Sequence, residues 1–356
     1  MTGRGRYLRR WTWAALGLPL ALFLGGCSIL SNGPQAANQP HADNSLLIWN
    51  LFVPIFWLSV VVFVIVEGIL LVAVIRFRRR PGQPMPRAIH GNTKLEIAWT
   101  LMPALILAVI AVPTISGIAT LAKNPGPSAM TVRVIGQQWW WAFEYPNTGV
   151  VTADEVHIPV GQTIHFELTS RDVIHSFWVP QLAGKQDAVP GRTNFINLKA
   201  DKPGEYFGQC AEFCGAQHAH MQFRVFVDTP AQFQTWMLAQ EKLPTMPAAG
   251  TAAAAGEQLF MSGACIGCHT INGTKAQGTI APNLTHFGSR TLIAGGILSN
   301  TPQNLEAWIH DAPAVKPGQP SAQGASPGHN QIVMPAFPNY TPQQLSDLAA
   351  FLESLK

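Results

Sequence analysis

In the stretch Cys210-Ala-Glu-Phe-Cys-Gly-Ala-Gln-His-Ala-His-Met221, two thiols, an imidazole and a thioether lie within twelve residues. A second imidazole, that of His175, lies upstream in the run Asp172-Val-Ile-His-Ser-Phe-Trp178. Sulfur ligands suit copper(I), and imidazole suits copper in either oxidation state. Because zinc sites do not need a methionine, the set predicts an electron-transfer copper centre. One tight loop and a histidine from a neighbouring strand would form it.

A disulfide between Cys210 and Cys214 is the alternative interpretation of this stretch. Such a bond would close a very short loop, and it would leave His218, Met221 and His175 without a role. We therefore expect both thiols to be free for metal binding.

A second cofactor motif, Cys265-Ile-Gly-Cys268-His269, follows in the same chain. In the C-x-x-C-H signature the two cysteines bond the vinyl groups of haem c, and the histidine becomes an axial iron ligand. A thioredoxin-like redox pair would need a βαβ context, and a zinc site would need a second pair of ligands. The sequence shows neither, so the motif predicts covalently bound haem.

Met334, in the run Ile332-Val-Met-Pro-Ala-Phe337, is the expected sixth ligand of the haem iron. A Met-Pro pair late in the domain is typical of class I cytochromes c, and Met261 lies too close to the attachment motif. His286 and His310 are the alternatives, and either would give bis-histidine ligation. An irregular loop over Ala312 to Asn330 is expected to lead to Met334.

The first residues of the chain carry an export signal. A start rich in arginine precedes an apolar run over residues 11–24, which ends in Leu24-Gly-Gly-Cys27. Residues 1–26 are therefore predicted to be a lipoprotein-type signal peptide, with Cys27 lipidated, and residues 27–45 an exported segment. Ordinary cleavage nearby, with Cys27 incidental, is the alternative. All five cysteines then have a role, and none remains for a disulfide.

Residues 46–122 are predicted to be a transmembrane hairpin. Leu46 to Ile75 contains Glu67 as its only charge and Ile97 to Ala122 contains none, so each exceeds the roughly 20 apolar residues that cross a membrane. The basic run Arg76-Phe-Arg-Arg-Arg80 lies between them, and the positive-inside rule places it in the cytoplasm. The rest of the chain is then expected on the periplasmic, outer face of a bacterial inner membrane.

The composition changes after this hairpin. Short strand-like runs separated by Gly and Pro predict an antiparallel β-sandwich within residues 123–228. Residues 229–255 are rich in Pro and Ala and are predicted to be a linker with one short helix, Pro230 to Lys242. Three histidines in or near the strands are expected to be hydrogen-bonded or solvent-facing rather than metal ligands, namely His157, His165 and His220.

Residues 256–356 are predicted to be a compact helical domain. Its last helix is expected to begin with the capping sequence Thr341-Pro-Gln-Gln344. The apolar stripe of that helix would consist of Leu345, Leu348, Ala349 and Leu352.

Charge gives no indication of a nucleic-acid partner. The formal net charge is +4, but the basic excess lies in the signal and in the loop between the apolar segments. Acidic residues outnumber basic ones in both 131–228 and 256–356. Nucleic-acid binding is therefore not expected.

The hairpin and four runs of this chain resemble subunit II of cytochrome c oxidase. With the C-terminal haem motif, the chain is similar to the caa-type bacterial variant, in which a cytochrome c is fused to this subunit. The resemblance implies a multidomain protein with a cupredoxin-like sandwich and an all-α class I cytochrome c domain. The four runs are Gly136-Gln-Gln-Trp-Trp-Trp-Ala-Phe-Glu-Tyr145, His175-Ser-Phe-Trp-Val-Pro180, Gly184-Lys-Gln-Asp-Ala-Val-Pro-Gly-Arg192 and Gly208-Gln-Cys-Ala-Glu-Phe-Cys-Gly215.

The resemblance also implies a binuclear copper A centre with two copper ions. Two cysteines would bridge the ions, two histidines would bind one ion each, a methionine would be a weak axial ligand, and one backbone carbonyl would complete the set. In this chain Cys210 and Cys214 would be the bridging cysteines, and His175 and His218 the two histidines. Met221 would be the axial methionine, and Glu212 would supply the backbone carbonyl.

Further roles come from the resemblance alone. The Glu212 side chain matches a magnesium ligand at the interface with subunit I, and Trp139 matches the aromatic residue through which electrons reach copper A. Glu96 matches a carboxylate at the mouth of a proton channel into subunit I, and a carboxylate favoured by the dipole of a helix start is its alternative. Trp140 stands where the family usually has tyrosine, and this difference affects the packing beneath the electron-entry residue Trp139.

The implied function is electron transfer into a haem-copper terminal oxidase. A donor, either cytochrome c or quinol-cytochrome c reductase, would reduce haem c. Copper A would then pass the electrons to subunit I, where oxygen becomes water and protons are pumped. Subunit III is a further expected partner, and the oxygen chemistry is not expected on this chain.

Two alternatives remain at this point, namely the electron-accepting subunit of a copper-A-containing nitric oxide reductase and a free-standing membrane electron carrier. Glu96, Glu212 and the lipoprotein-type signal ending at Cys27, together with the fused haem, favour the oxidase over the first. The two long helices, one of which contains a carboxylate, favour a large partner over the second. Subunit II of a quinol oxidase is disfavoured because it lacks the copper ligands found here.

Overall fold

The structure is a computed structural model that describes residues 33–82, 84, 88, 90–316 and 334–356. The predicted signal peptide and Cys27 lie outside these residues, as does most of the loop expected before Met334. Within the described residues, the chain forms a helical hairpin, a β domain and a helical C-terminal domain, in the expected order.

Two long helices form the hairpin. Helix α1 spans Asp43–Arg76 and helix α2 spans Thr93–Leu121. Both are long and apolar enough to cross a membrane, and most of their large apolar side chains are exposed in the isolated chain. A helix satisfies its own backbone hydrogen bonds, which a membrane interior requires. The two predicted membrane spans are confirmed.

The start of α1 is attached to the β domain by hydrogen bonds. Asp43 accepts the amide of Lys199 at 2.8 Å, and the Ser45 hydroxyl donates to the carbonyl of Gln181 at 2.8 Å. Asn44 and Ser45 are buried by this contact. The polar first turn therefore fixes where the hairpin leaves the β domain.

Ten strands form the β domain as two five-stranded sheets, in the orders β3-β2-β1-β5-β8 and β4-β10-β9-β6-β7. The strands are β1 Met130–Gln137, β2 Trp140–Tyr145, β3 Val150–Ala153, β4 Glu155–Pro159, β5 Thr163–Ser170, β6 His175–Trp178, β7 Gln186–Ala188, β8 Asn194–Lys199, β9 Gly204–Cys210 and β10 Gln222–Asp228. The pairs β1–β5 and β4–β10 are parallel, and the others are antiparallel. The predicted sandwich is confirmed. Its sheets are mixed because the connections within these two pairs pass through the opposite sheet.

The inner faces of the two sheets meet in an aromatic core. Strand β5 alternates half-buried and buried residues along its length, as a strand with one inward face must. Trp141, Phe177 and Phe223 are fully buried and contact one another. Trp141 also contacts His175, with 5.8 Å between the ring centroids. The core therefore extends to the predicted copper site.

Helix α3, Pro230–Gln240, lies where the linker was expected to contain a helix. It packs against the β domain, since Met237 is buried and the Trp236 ring stacks on His157 with centroids 4.3 Å apart. His157 in turn pairs with Asp228 at 2.7 Å. The first part of the predicted linker is therefore docked on the β domain rather than free.

The C-terminal domain contains helices α4 Ala252–Ser262, α5 Pro302–His310, α6 Ala312–Val315 and α7 Pro342–Ser354. Its described residues also include an antiparallel pair, β11 Leu292–Ile293 with β12 Leu298–Ser299. The domain is thus not wholly α, because Gly295 and Gly296 adopt φ of +74° and +79° and reverse the chain there. Helix α6 occupies the start of the region expected to be irregular.

Helices α4 and α7 cross in close contact. A Cβ at Gly256 would overlap the backbone of Asp347, so glycine is required at this crossing. The predicted capping box of Thr341 and Gln344 is present. The predicted apolar stripe is buried as well, at Leu345, Leu348, Ala349 and Leu352.

Candidate functional site

Two neighbouring strands bring the predicted copper ligands together. His175 is the first residue of β6, and Cys210 is the last residue of β9. These strands are paired, with Phe177 opposite Cys210. The chain then passes Cys214 and makes a single 3-10 turn at His218–His220 before β10 begins. Sheet pairing thus places a distant histidine beside the cysteine loop.

The donor atoms of this loop face one another. Cys210 Sγ lies 3.7 Å from Cys214 Sγ, so the thiols are not joined in a disulfide. His175 Nδ1 lies 3.9 Å from Cys210 Sγ, and His218 Nδ1 lies 3.7 Å from Cys214 Sγ. Met221 Sδ lies 3.8 Å from Cys214 Sγ. The five predicted side-chain ligands therefore surround one small volume, with one histidine next to each cysteine.

Glu212 presents different groups to this site and to solvent. Its carbonyl oxygen lies 3.3 Å from Cys210 Sγ, where the resemblance implies a backbone ligand. Its side chain is exposed, and so is that of Phe213, which is 77% exposed. The carboxylate is therefore accessible to a second ion or chain outside the copper loop.

The contact between the two cysteines of the loop shifts their pKa values in opposite directions. A hydrogen bond from the Cys214 thiol is the main reason that the pKa of Cys210 lies far below its usual value. The same contact raises the pKa of Cys214. One thiolate is thus already favoured at neutral pH, and binding a cation removes the second proton.

Asp172 orients His175, a role that the sequence motif did not reveal. Burial is the largest influence on the pKa of His175 and acts to lower it, but Asp172 and Cys210 together outweigh burial and the pKa is raised. The hydrogen bond from His175 Nε2 to Asp172 Oδ1, 2.8 Å long, is the larger of the contacts that raise it. Because a carboxylate only accepts, Nε2 carries the proton and Nδ1 is left to face Cys210. The signal available in sequence was a carboxylate three residues before the histidine.

Trp139 lies against the copper loop. Its indole N–H donates to the carbonyl of Cys214 at 3.1 Å, and the neighbouring Gln138 side chain donates to the same oxygen at 2.7 Å. Trp139 is only 5% exposed. The residue expected to receive electrons therefore contacts the backbone of one predicted bridging cysteine.

A largely apolar cavity in the C-terminal domain contains the predicted haem residues. Its lining includes Cys265, Cys268, His269 and Met334, together with apolar side chains such as Phe260, Leu305, Trp308 and Leu348. Four residues of the β domain complete the wall, namely Gln138, Trp139, Trp140 and Asp154. The cavity is therefore shared between the domains.

His269 is prepared to bind iron through one nitrogen. Its Nδ1 donates to the carbonyl of Pro282 at 2.8 Å, so Nε2 keeps its lone pair. Burial is the main reason that the pKa of His269 lies below its usual value. The neutral imidazole that metal ligation requires is thus favoured.

The alternatives to Met334 do not line this cavity. Among the described residues of its wall, Met334 is present whereas His286 and His310 are not. His286 is buried elsewhere in the domain. The geometry therefore favours a thioether over a second imidazole as the sixth ligand.

The remaining predicted residues are not among the ligands of either site, although His220 lies in the copper loop itself. Glu96 is exposed in the first turn of α2, where its Oε1 accepts the amide of Asn92 at 3.2 Å. This contact fits the alternative of a helix-start carboxylate, and the channel role stays a prediction. His165 pairs with Asn197 and His220 with Gln217, so these two histidines, like His157, have ordinary partners.

The residues of both sites fit the groups that the sequence predicts. Two thiols, two imidazoles, a thioether and a carbonyl form the donor set expected of a copper centre. Two free, half-buried cysteines beside a neutral histidine and an apolar cavity suit haem attached through thioethers. Both fits rest on this chain's own donor atoms.

We expect Asp172→Asn to weaken copper binding by about 10- to 100-fold, the usual cost of losing an outer-shell partner. Asp172 also accepts the amide of Gln138 at 2.7 Å, so an asparagine cannot accept from both Gln138 and His175. Copper content at limiting copper concentration measures the effect. Cys214→Ser is the matched ligand variant and should lose copper at any concentration, whereas Asp201→Asn on the surface should bind normally. Full copper affinity in Asp172→Asn would show that Asp172 does not orient the ligand.

Comparison with known proteins finds a family model for each of the three parts of the chain. Residues 33–116 match the model of the transmembrane domain of cytochrome c oxidase subunit II, and residues 150–227 match that of its periplasmic domain. Residues 253–356 match the cytochrome c model. The three matches follow one another along the chain.

Relatives extend over nearly its full length. Cytochrome c oxidase subunit 2 of Alkalihalophilus pseudofirmus is 39% identical, over 98% of this chain and 99% of that protein. The subunit 2 of Bacillus sp. PS3 is 36% identical, over 79% of this chain and 80% of that protein. The solved periplasmic domain of the Bradyrhizobium japonicum subunit II is 30% identical, over 33% of this chain and 97% of that one, with a TM-score of 0.32. The chain belongs to the cytochrome c oxidase subunit II family and carries a fused cytochrome c domain.

Proposed function

We propose that this chain receives electrons from a donor at its haem domain and delivers them, through its copper domain, to the oxygen-reducing subunit of a haem-copper oxidase. Copper A and haem c, when bound, each gain and lose single electrons. The oxygen chemistry belongs to subunit I. This function follows from the family and from the two sites that the chain brings together.

The position of Trp139 is the observation that carries the proposal. Its indole N–H is bonded to the backbone of Cys214, and its side chain forms part of the haem cavity wall. One residue of the β domain thus contacts both predicted sites. Short electron-transfer distances require such direct packing, and a cytochrome domain that was merely tethered would not supply it.

The chain's own residues hold and orient the two groups. We assign Cys210, Cys214, His175, His218, Met221 and the Glu212 carbonyl to copper A, and Cys265, Cys268, His269 and Met334 to haem c. Asp172 holds the proton of the His175 imidazole, and the Pro282 carbonyl holds that of His269. The aromatic core packs against His175, and the haem cavity is largely apolar. Preorganised ligands of this kind need little movement when an electron arrives.

The membrane hairpin supports a partner within the bilayer. The exposed apolar faces of α1 and α2 can be covered by lipid and by the other oxidase subunits, among which we propose subunits I and III. The haem and copper domains would lie on the periplasmic face of a bacterial inner membrane. The external donor would be cytochrome c or quinol-cytochrome c reductase.

Two exposed carboxylates are proposed to act at the interface with subunit I. The side chain of Glu212 would bind magnesium there, because it is accessible next to the copper loop. Glu96 would lie at a proton-channel mouth, at the start of α2. A nitric oxide reductase subunit and a free-standing carrier are not favoured, because the relatives that span the chain are oxidase subunits.

Truncation after Leu243 should test the role of the haem domain. This change keeps helix α3, which packs on the β domain, and removes the cytochrome c. Because a fused haem acts at high effective concentration, we expect oxidase turnover at low donor concentration to fall by about 100-fold or more. Turnover of the assembled complex is measured, with the copper A signal as the folding control. Undiminished turnover with intact copper would show that electrons do not need the fused haem.

Met334→His should change the haem without detaching it. A thioether ligand raises the reduction potential relative to bis-histidine ligation, so we expect the haem c potential to fall. The weak methionine-to-iron charge-transfer band of the oxidised protein should disappear, while covalent haem content stays the same. A band that persisted in the variant would contradict the ligand assignment and direct attention to His286 and His310.

A further inference from the structure

The β domain and the haem domain meet at an interface that contains a buried carboxylate. Glu155, the first residue of β4, is only 4% exposed. Its Oε1 accepts the amides of Thr291 and Leu292 at 2.8 and 2.7 Å and the Thr291 hydroxyl at 2.6 Å. A buried carboxylate is tolerated when such donors satisfy it. The three bonds therefore define one orientation of the haem domain.

Residues Ala294–Gly296, here called the docking loop, bring the haem domain into backbone contact with the β domain. The amide of Gln222 donates to the carbonyl of Gly295 at 2.9 Å. A Cβ at Gly295 would lie 2.7 Å from the carbonyl oxygen of Trp139, and one at Gly296 would lie 2.7 Å from that of Gln222. Glycine is therefore needed at both positions for this approach.

Lys316 bonds the docking loop to the segment that contains Trp139. Its Nζ donates to the carbonyl of Trp139 at 3.2 Å and to the carbonyl of Ala294 at 3.1 Å. The residue is only 3% exposed, and both Lys316 and Trp139 line the haem cavity. One side chain of the haem domain therefore connects the two domains at the wall of that cavity.

A buried ammonium group is a costly way to fill this space. Burial lowers the pKa of Lys316 to about 8, and the nearby Asp154 carboxylate acts in the opposite direction, so the group is protonated at neutral pH. An apolar side chain of similar length would pack without this desolvation penalty. The two carbonyl contacts therefore indicate a role beyond packing.

We propose that Lys316 is a positioning residue for electron transfer, which holds the haem domain at a fixed distance and orientation from Trp139 and the copper loop. The inference rests on the proposed function, because it concerns the transfer step between the two sites of that function. Lys316 bonds the carbonyl of Trp139, and the indole of the same residue bonds Cys214. A shift of the docking loop would therefore change the contact between the cavity wall and the copper loop.

The test compares Lys316→Met with Lys316→Arg and Lys275→Met in the assembled oxidase. Methionine keeps the length of the side chain but donates no hydrogen bond, and arginine keeps the charge and the donors. Lys275 is an exposed lysine of the same domain and is the matched control. Two quantities are measured, namely the rate of electron transfer from haem c to copper A after rapid reduction, and hydrogen exchange in peptides that contain Gln222 and the docking loop.

In Lys316→Met we expect transfer to slow several-fold, because the rate of electron transfer falls steeply with the distance between donor and acceptor. Exchange in the two peptides should rise, while haem content and the haem c spectrum stay the same. Lys316→Arg should lie between Lys316→Met and the wild type in both transfer rate and hydrogen exchange. Lys275→Met should match the wild type in both. If Lys316→Met lost its haem, Gly295→Ala would replace it, because its Cβ would lie 2.6 Å from Lys316 Nζ and 2.7 Å from the Trp139 carbonyl oxygen and would force these two groups apart.

Wild-type transfer and wild-type exchange in Lys316→Met, or in Gly295→Ala where that variant replaces it, would overturn the inference. That result leaves the proposed function intact, since electrons would still pass between the sites. Absence of transfer from haem c to copper A in the wild type would instead overturn the proposed function itself. The two failures are therefore distinguishable in one set of measurements.

Discussion

The hydrogen bond from the Trp139 indole to the Cys214 carbonyl is the contact on which the rest of the structure depends. Both residues belong to the β domain, but Trp139 also lines the haem cavity, so the bond attaches the wall of that cavity to the copper loop. The aromatic core packs against the copper site on another side, since the Trp141 ring contacts His175. The docking loop holds the cavity wall from the side of the haem domain. Displacement of Trp139 would therefore disturb both sites together.

Charged groups that are buried between the β domain and the haem domain, and that are satisfied by hydrogen bonds, explain how the two domains remain in one arrangement. Glu155 is buried but accepts three hydrogen bonds, and Lys316 is buried but donates two. Further bonds run from Arg171 to Thr279 and from Gln137 to Ile280. Directional bonds of this kind favour one docked orientation, whereas an apolar interface alone tolerates sliding. A fixed orientation suits electron transfer, which depends on distance.

The ligands were predictable from sequence because their chemistry is local. The spacing of Cys210, Cys214, His218 and Met221 lies within one loop, and the haem motif lies within five residues. The membrane spans were equally predictable, because an uninterrupted apolar run of that length is typical of a transmembrane helix. Alternation and turn residues predicted the sandwich, and the capping box predicted the last helix.

The remaining features were not predictable, because they depend on contacts between residues that are distant in sequence. Glu155 and Thr291 are 136 residues apart, and Trp139 and Lys316 are 177 apart. The two parallel strand pairs and the docking of helix α3 arise in the same way, from tertiary packing rather than from local pattern. Asp172 was visible in its motif, but its role required the ring orientation of His175. The lipoprotein signal and the channel role of Glu96 stay predictions.

The concentration dependence of electron transfer tests the central claim most directly, because it separates transfer within one chain from transfer between molecules. The fully oxidised oxidase is given less than one electron per molecule, and the haem c band and the near-infrared copper A band are followed over a series of protein concentrations. We predict that haem c is reduced first and that copper A is then reduced at a rate independent of protein concentration. A rate that rises in proportion to protein concentration, or copper A reduction that precedes that of haem c, would contradict the account.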